Sequence, residues 1–443
     1  MELELYNTQT RTKEIFKSVH PKEVRIYSCG PTVNDVPHLG HARQQITWDV
    51  LRKYLKFIGY KVKFVSNITD IDDKIINKAK ELNEDIILLT QRNLKSHLED
   101  YKKIGVETPD IQPKATEYIP QMIELIQILE NKGYAYIIPE DGVYYDISKF
   151  SEYGKLSHQN VEDLISGARV ESKNEKRNKE DFVLWKFSKP NEPKWHSPWG
   201  EGRPGWHIEC SAMSKSILGL PLDIHCGGQD LIFPHHEDEV AQSEAAYETK
   251  LSNYWMHNGM VNVDKIKMSK SLGNFKTIRD LLENYDGAVI RFFVISAHYR
   301  KPIDFSKDSL TDAKTSYDRL KNLILTISDD GLENSNYINE FTQAMNDDLN
   351  TSKVLALLWE IARDTTAQGR YNSIKKIDSV LSLNLLIKEE IIIPKEILEL
   401  AHKREHARKN KNWKESDEIR TELIRRGFNI SDTPSGPKII PIK

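Results

Sequence analysis

The sequence predicts an α/β protein: a doubly wound parallel sheet, interrupted by an insertion and followed by an all-helical C-terminal part. Three observations predict it. Strand-like and helix-like segments alternate over the first third of the chain. The pattern changes from about Glu117 to Pro198. From about Ser306 onward the apolar residues recur at helical spacing.

The elements follow in order. Val24 to Cys29 reads as a buried strand ended by Gly30-Pro31. His41 to Gly59 reads as an amphipathic helix, with Ile46, Val50, Tyr54 and Phe57 at helical spacing. Val62 to Val65 is a second strand and Asp70 to Leu82 a second helix, and this strand–helix–strand order implies parallel pairing. In the insertion, a helix over Ile119–Asn131 stops at Gly133, and two strand-like pieces follow at Tyr134–Ile138 and Val143–Asp146. The polar run Glu171–Asp181 reads as an exposed loop. His196 to Cys210 (HSPWGEGRPGWHIEC) carries too much Gly and Pro for a regular element. Leu222 to Cys226 is another strand, turning at Gly227-Gly228 into a helix over Pro234–Tyr247. Later helices are expected at Leu310–Ser328, Thr351–Gln368, Tyr371–Ser382, Lys395–Lys411 and Trp413–Arg426, before a turn-rich tail from Ser431.

Composition narrows the class. The 443 residues suffice for two or three domains. No run approaches the ~18 apolar residues of a membrane-spanning helix, and the acidic N-terminus lacks a secretory h-region. A cytoplasmic location is the expectation. The net charge of −3 means that nucleic-acid contact needs a local basic surface. Three widely spaced cysteines, Cys29, Cys210 and Cys226, argue against a disulfide framework and leave two roles, buried hydrophobe or metal ligand.

His235 and Glu239 stand four apart and project from one face of the predicted helix. Cys29 ends a strand whose carboxyl edge is where such sheets bind ligands, and Cys210 follows the Gly/Pro-rich stretch. Together the four form a candidate tetrahedral site of two thiolates, an imidazole and a carboxylate, which suits zinc. No CxxC motif supports it, and His236 and Cys226 compete as ligands.

Two further motifs point to a nucleotide. His38-Leu39-Gly40-His41 lies between the first strand and its helix, where a helix N-terminus and two imidazoles can face phosphate oxygens. Lys267-Met268-Ser269-Lys270-Ser271 places two lysines three apart on a small-residue loop, suited to charge developing on a departing pyrophosphate.

In that order, these reproduce the paired HIGH and KMSKS signatures of class I aminoacyl-tRNA synthetases, with Leu39 in place of Ile. The stretches SCGPTVNDVPHLGHAR, NITDIDDKII, DFVLWK, GRPGWHIECSAM, FPHHEDE, NYWMHNGMV and KMSKSLGNF resemble the cysteinyl-tRNA synthetase family, from Asn7 to about Asp304 and again in the C-terminal helices. The resemblance implies a Rossmann-type catalytic domain in two halves (1–116 and 199–250) around an inserted connective subdomain (117–198). A KMSKS-bearing stem-contact region (251–306), a helical bundle (307–390) and a small anticodon-binding domain (391–443) follow. It implies cysteine–tRNA ligase activity through cysteinyl-adenylate. The partners would be ATP with Mg²⁺, L-cysteine and the tRNA for cysteine, and the chain would act as a monomer.

The resemblance also assigns residues. It implies one zinc on Cys29, Cys210, His235 and Glu239, selecting His235 over His236, with the substrate thiolate bound to the metal. Serine makes a poor zinc ligand, and rejecting it roughly 10⁴-fold needs about 5.5 kcal/mol, which a metal–thiolate bond can supply. Gly30, Thr69, Trp206 and His225 would bind cysteine. His38, Gly40, His41, Asp230, Lys267, Ser269 and Lys270 would bind ATP, with His38, His41, Lys267 and Lys270 catalytic. Cys226 departs from the family's HGGG-like stretch.

Between Lys395 and Arg426 stand ten Lys/Arg and seven Asp/Glu. Composition alone allows either a base-stacking Trp413 or a core tryptophan. The resemblance implies anticodon contacts at Arg408, Trp413, Asp417 and Asp432, although Lys438-Ile439-Ile440 departs from the family's tail. Two alternatives remain at this level: a cysteine:amino-sugar ligase using the same adenylation chemistry, and a zinc-stabilised RNA-binding protein without catalysis.

Overall fold

In the computed structural model, residues 2–160, 176–267, 275–388, 394–433 and 436–441 are described. They divide into two compact units, Met1–Leu385 and Leu386–Lys443.

The first unit is organised by four parallel strands in the order β10-β9-β3-β4. These are β3 (Glu23–Ser28), β4 (Lys61–Ser66), β9 (Leu222–Gly228) and β10 (Ser252–Asn258). All seven residues of β9 and five of the six in β3 are buried, as expected of strands covered on both faces. The chain leaves β3 outward to β4 and later leaves β9 outward to β10, while β3 and β9 pair with each other. The crevice at their carboxyl ends is therefore the topological switch point.

Helix α1 (Leu39–Phe57) connects β3 to β4. His38 caps it: its ring accepts from the Gly40 amide at 3.1 Å, and His41 Nδ1 accepts from the His38 amide at 3.2 Å. These bonds satisfy two of the amides that a helix start leaves unpaired. Helices α2 (Asp73–Leu82) and α3 (Ile86–Lys103) follow β4, each capped by an aspartate, Asp72 and Asp85. The sequence reading missed α3, whose apolar residues are bunched in its first turn and partly exposed, Ile87 and Leu88 above all. It also missed the N-terminal hairpin β1 (Glu4–Asn7) and β2 (Thr12–Ile15), which lies along β10 with the Trp255 carbonyl accepting from Thr8 N at 2.8 Å.

The insertion holds α4 (Ile119–Asn131) and an antiparallel sheet of β5 (Ala135–Ile138), β6 (Gly142–Tyr145), β7 (Phe182–Phe187) and β8 (Gly202–Pro204). Its side chains share one core with the parallel sheet: Tyr145, Trp185, Leu125 and Met122 pack in the same cluster as Tyr27, Cys29, Val65 and Trp255. One expectation needs correction here. The Gly/Pro-rich stretch is regular in part, because Gly202–Pro204 form β8 and helix α5 runs from Trp206 to Leu218. Gly202 and Gly205 are required by backbone approach: a Cβ would come within 2.5 Å of the Lys186 carbonyl and 2.0 Å of the Val183 carbonyl.

Beyond β9, a π-helical turn with a kink at Phe233 covers Ile232–His236 and leads into α6 (Glu237–Tyr247). After β10 come β11 (Val261–Val263) and β12 (Ile266–Lys267), then α7 (Ile278–Leu282), α8 (Gly287–Ser296) and β13 (Ile303–Phe305). β13 pairs parallel with β11. The helical part comprises α9 (Lys307–Ile324), α10 (Ser335–Asn346), α11 (Thr351–Arg363) and α12 (Arg370–Leu381). The sequence reading named three of these and passed over α10, which is mostly polar. Among the described residues, no helix is long and apolar enough to cross a membrane.

The second unit is α13 (Lys395–Lys409), α14 (Trp413–Arg425) and a hairpin of β14 (Phe428–Thr433) and β15 (Gly436–Pro441). The tail expected to be turn-rich is thus largely strand. Ile430 and Ile439 face Ile397, Ala401 and Leu423 in a small core, and this burial holds the hairpin to the helices.

A buried ionic network ties α1 to the helical part. Asp49 accepts from Arg291 and from Lys53 Nζ at 2.7 Å, and Arg291 also donates to the Leu381 and Gly105 carbonyls. Burial pushes the Asp49 carboxyl up, but Arg291 and Lys53 outweigh it and hold it below the ordinary value. Its contribution is therefore full above the ordinary aspartate range and is lost as pH falls through the lowered folded value. Asp49→Asn leaves Arg291 buried without its counter-charge. We expect a loss of about 3–5 kcal/mol, read as a lower urea midpoint for the first unit.

Candidate active site and metal centre

The switch-point crevice opens into a cavity of 460 Å³ lined by Gly30, His38, Gly40, His41, Trp206 and Asp230, among others. Six residues singled out from sequence thus share one wall system. Gly30 is required there: a Cβ would fall 1.6 Å from the Asn67 carbonyl, and its amide donates to Asn67 Oδ1 at 2.8 Å. The His38 and His41 rings stack with centroids 3.8 Å apart at the start of α1. Gly228 approaches Asp230 closely enough that a Cβ would meet Oδ1 at 2.5 Å. Lys267 ends β12, whereas Ser269 and Lys270 lie outside the described residues.

Behind Gly30 and Trp206 lies a quartet. Cys29 leaves β3, Cys210 sits in the second turn of α5, His235 in the π-helical turn and Glu239 in α6. All four are buried, with ligand atoms within 4.8 Å of one another. Cys29 Sγ lies 3.6 Å from Cys210 Sγ, 3.6 Å from His235 Nε2 and 3.4 Å from Glu239 Oε1. His235 Nε2 lies 3.1 Å from Glu239 Oε1. Ligands around a tetrahedral ion with bonds of ~2.0–2.3 Å stand roughly 3.3–3.8 Å apart, so the quartet is close to the size of one ion.

A second set, Cys29, His225, His236 and Glu239, also converges. Its imidazoles approach the shared ligands as His235 does, with His236 Nε2 3.3 Å from Cys29 Sγ. His225 Nε2 lies 2.8 Å from Glu239 Oε2, and His236 Nδ1 lies 2.8 Å from His257 Nε2. Cys226, the other competitor, belongs to neither set. Side chains alternate along β9: His225 and Gly227 face the imidazoles, and Cys226, the register partner of Ser28, points the other way.

The electrostatics suit ligation. Burial, and then Cys210, pushes the Cys29 thiol well up, and burial likewise raises Cys210. Only a cation can make thiolates favourable in such a place. Burial, followed by neighbouring imidazoles, pushes His235 far below its ordinary value, leaving it neutral and able to ligate. Trp206 stacks on His235, with ring centroids 4.0 Å apart.

Thr69 is buried and donates to Glu209 Oε2 at 2.6 Å. His225 is fully buried, with its ring stacked on Trp255. Sequence reasoning missed Glu209, His207, His257 and Asn67. His207 Nδ1 stands 2.9 Å from His235 Nδ1 and so orients that ring. No local pattern marks these residues, because burial across segments far apart in sequence creates their roles. Glu237 and Asp238 were missed as well. Glu237 accepts from the Gly154, Leu156 and Ser157 amides and Asp238 from the Tyr153 hydroxyl, binding the insertion to α6.

In the second unit Arg408, Trp413 and Asp432 come together. Asp432 accepts from Arg404 at 2.8 and 3.2 Å and pairs with Arg408 at 3.4 Å. The Arg408 guanidinium lies 5.5 Å from the Trp413 ring centroid. Trp413 is 56% exposed, so it is no core tryptophan. Asp417 is exposed one turn along α14.

Comparison with known proteins gives a consistent result. Residues 15–315 match the model of the class I (C) tRNA synthetase catalytic domain, 340–387 the DALR domain and 393–436 the cysteinyl-tRNA ligase anticodon binding domain. The cysteine–tRNA ligase of Methylobacillus flagellatus is 47% identical over 448 residues, covering 98% of both chains. That of Caldicellulosiruptor saccharolyticus is 45% identical over 467 residues, covering all of both. The chain belongs to the cysteine–tRNA ligase family. Membership in this class I family also agrees with the fold. Mycobacterium tuberculosis methionyl-tRNA synthetase bound by methionyl-adenylate superposes with a TM-score of 0.61 at 13% identity, covering 83% of this chain and 92% of that one.

All three cysteines are free and buried. A thiol reagent should titrate essentially none in the native protein within minutes and three after denaturation. A fast-reacting native thiol would contradict this packing.

Proposed function

We propose that the chain is a cysteine–tRNA ligase that activates L-cysteine with ATP and transfers it to the terminal adenosine of the tRNA for cysteine. The observation that carries this reading is the buried quartet of Cys29, Cys210, His235 and Glu239 directly behind the HLGH-lined cavity. The donor set fits zinc, since two sulfurs, one imidazole and one carboxylate at ion-sized spacing match its preferred ligands. Bound there, one zinc per chain would take a substrate thiolate and discriminate against a hydroxyl.

The chain's own residues do the rest. Trp206 covers the quartet from the cavity side, and Gly30, held against Asn67, lines the cavity beside the substrate backbone. Thr69 has its hydroxyl hydrogen committed to Glu209 and accepts from Asn67 Nδ2 at 3.4 Å, which leaves one lone pair for the substrate ammonium. His225 holds the Glu239 carboxylate. The cysteine carboxylate attacks the α-phosphorus in line. His38 and His41, with Gly40 giving close approach, stabilise the transition state at the start of α1. Asp230 takes the adenosine ribose, and Lys267, Ser269 and Lys270 receive the leaving pyrophosphate with its Mg²⁺. No protein nucleophile takes part; positioning and charge stabilisation suffice. A hydroxyl of the terminal adenosine then attacks the acyl carbonyl. Arg408, Trp413, Asp417 and Asp432 read the anticodon, Trp413 by stacking and Arg408 by its charge. The enzyme acts as a cytoplasmic monomer. An amino-sugar ligase would share the adenylation site but has no use for the Arg408–Trp413–Asp432 surface.

Cysteine-dependent ATP–pyrophosphate exchange and charging of a tRNA with a GCA anticodon are the deciding measurements; exchange without charging would favour the amino-sugar reading. Cys210→Ser should lose zinc and cysteine activation together, and full zinc content in that variant would refute the ligand set. Trp413→Ala should raise the KM for tRNA about tenfold, or about 1.4 kcal/mol, within the ~1–3 kcal/mol of a lost base stack, with exchange unchanged.

A further inference from the structure

Arg43 stands one turn into α1, two residues beyond His41, and its side chain is buried, with 1% of the residue exposed. No carboxylate pairs with it among the described residues. Its Nη2 donates instead to three carbonyls of one loop, Tyr299 at 3.0 Å, His298 at 3.5 Å and Lys301. Nε and Nη1 have no acceptor among the described residues. Desolvation lowers this guanidinium to about 10, so it remains charged at neutral pH. A buried cation resting on carbonyl dipoles alone is an expensive way to hold a loop, which raises the question of what the loop positions.

The loop holds one wall of the nucleotide cavity. The Tyr299 carbonyl that accepts from Arg43 also accepts from the Gly259 amide at 2.8 Å, and Met260 O accepts from Ile303 N at 3.0 Å. A Cβ on Gly259 would lie 2.7 Å from the Arg300 carbonyl, so wall and loop are in direct backbone contact. Asn258, Gly259, Met260 and Val261 line the same cavity as His38 and His41. Past the loop, β13 pairs with β11, and β11 with β12, which ends at Lys267. On the other side of the cavity, Leu39 N donates to the Lys276 carbonyl at 3.0 Å and Ile278 N to that of Pro37 at 3.0 Å.

We infer that Arg43 is a positioning residue for the nucleotide: it fixes the distance between the HLGH end of α1 and the wall Asn258–Val261, together with the strands leading to Lys267. The inference rests on the proposed use of ATP in this cavity. Arg43 touches neither substrate nor reacting atoms. Its effect should therefore fall on ATP and leave the cysteine side, built from β3, α5 and α6, unaltered.

The test titrates ATP and cysteine separately in the exchange reaction, with zinc content and thermal midpoint measured in parallel. Arg43→Met keeps an unbranched stem and removes the Nη2 donor that the three carbonyls share. Gly259→Ala perturbs the same contact from the wall side. For both we expect the KM for ATP to rise about tenfold, the KM for cysteine to stay within twofold, and zinc content to be unchanged. Unchanged KM values would overturn the inference. So would parallel loss of both substrates with zinc, a fall in kcat alone, or failure of both variants to fold; each would mark Arg43 as merely structural. Absence of exchange by the wild-type protein would instead defeat the proposed function itself.

Discussion

The parallel pairing of β3 with β9 is the constraint on which the rest of the molecule depends. It sets two strand ends side by side, one delivering Cys29 and Gly30 and the other His225, Gly227 and Gly228. Because the chain departs from these strands in opposite directions, no crossover closes the gap between them. Every later element answers to that gap. α1 brings an amide-rich helix start to its rim. α5, the π-helical turn and α6 bring the second sulfur, the imidazole and the carboxylate to its floor.

Such a floor is costly without a cation. Two thiols, several neutral imidazoles and a carboxylate are removed from water within a few ångströms of each other. The surroundings stiffen them by mutual hydrogen bonds: His207 on His235, His225 on Glu239, and Asn67 on Gly30. Full satisfaction of such a network makes it rigid, and one missing member makes it unstable. Chemistry at the floor and stability of the sheet are consequently difficult to alter separately.

The helix and strand order of the sheet could be read from hydrophobic period, and the HLGH and KMSKS motifs from their spacing. Cys29, Cys210, His235 and Glu239 were individually ordinary; their donor chemistry made them a candidate set with His236 and Cys226 as competitors, and the resemblance to a family pattern chose among these before the fold did. What escaped was of two kinds. Short strands such as β8 carry Gly and Pro, because neighbouring backbones come too close for side chains; composition alone reads that as a loop. Residues such as Glu209, His257 and Arg43 gain their roles from partners far away in sequence, and no local window contains both halves of such a contact. The reverse also occurred in the tail, where turn residues concealed a hairpin held by Ile430 and Ile439.

The shared core of sheet and insertion carries a different consequence. Tyr145, Trp185 and Met122 pack in the same cluster as Tyr27 and Trp255, and Glu237 reaches across to three insertion amides. The insertion is thus no detachable cassette. Chimeras that exchange it whole between relatives would have to carry along α5 and the first turn of α6, and variation in length is tolerated best where the chain is exposed, such as the turn at Glu140-Asp141. The body of the insertion is therefore bound to the same core as the parallel sheet, which leaves its rim as the place where length can change at least cost.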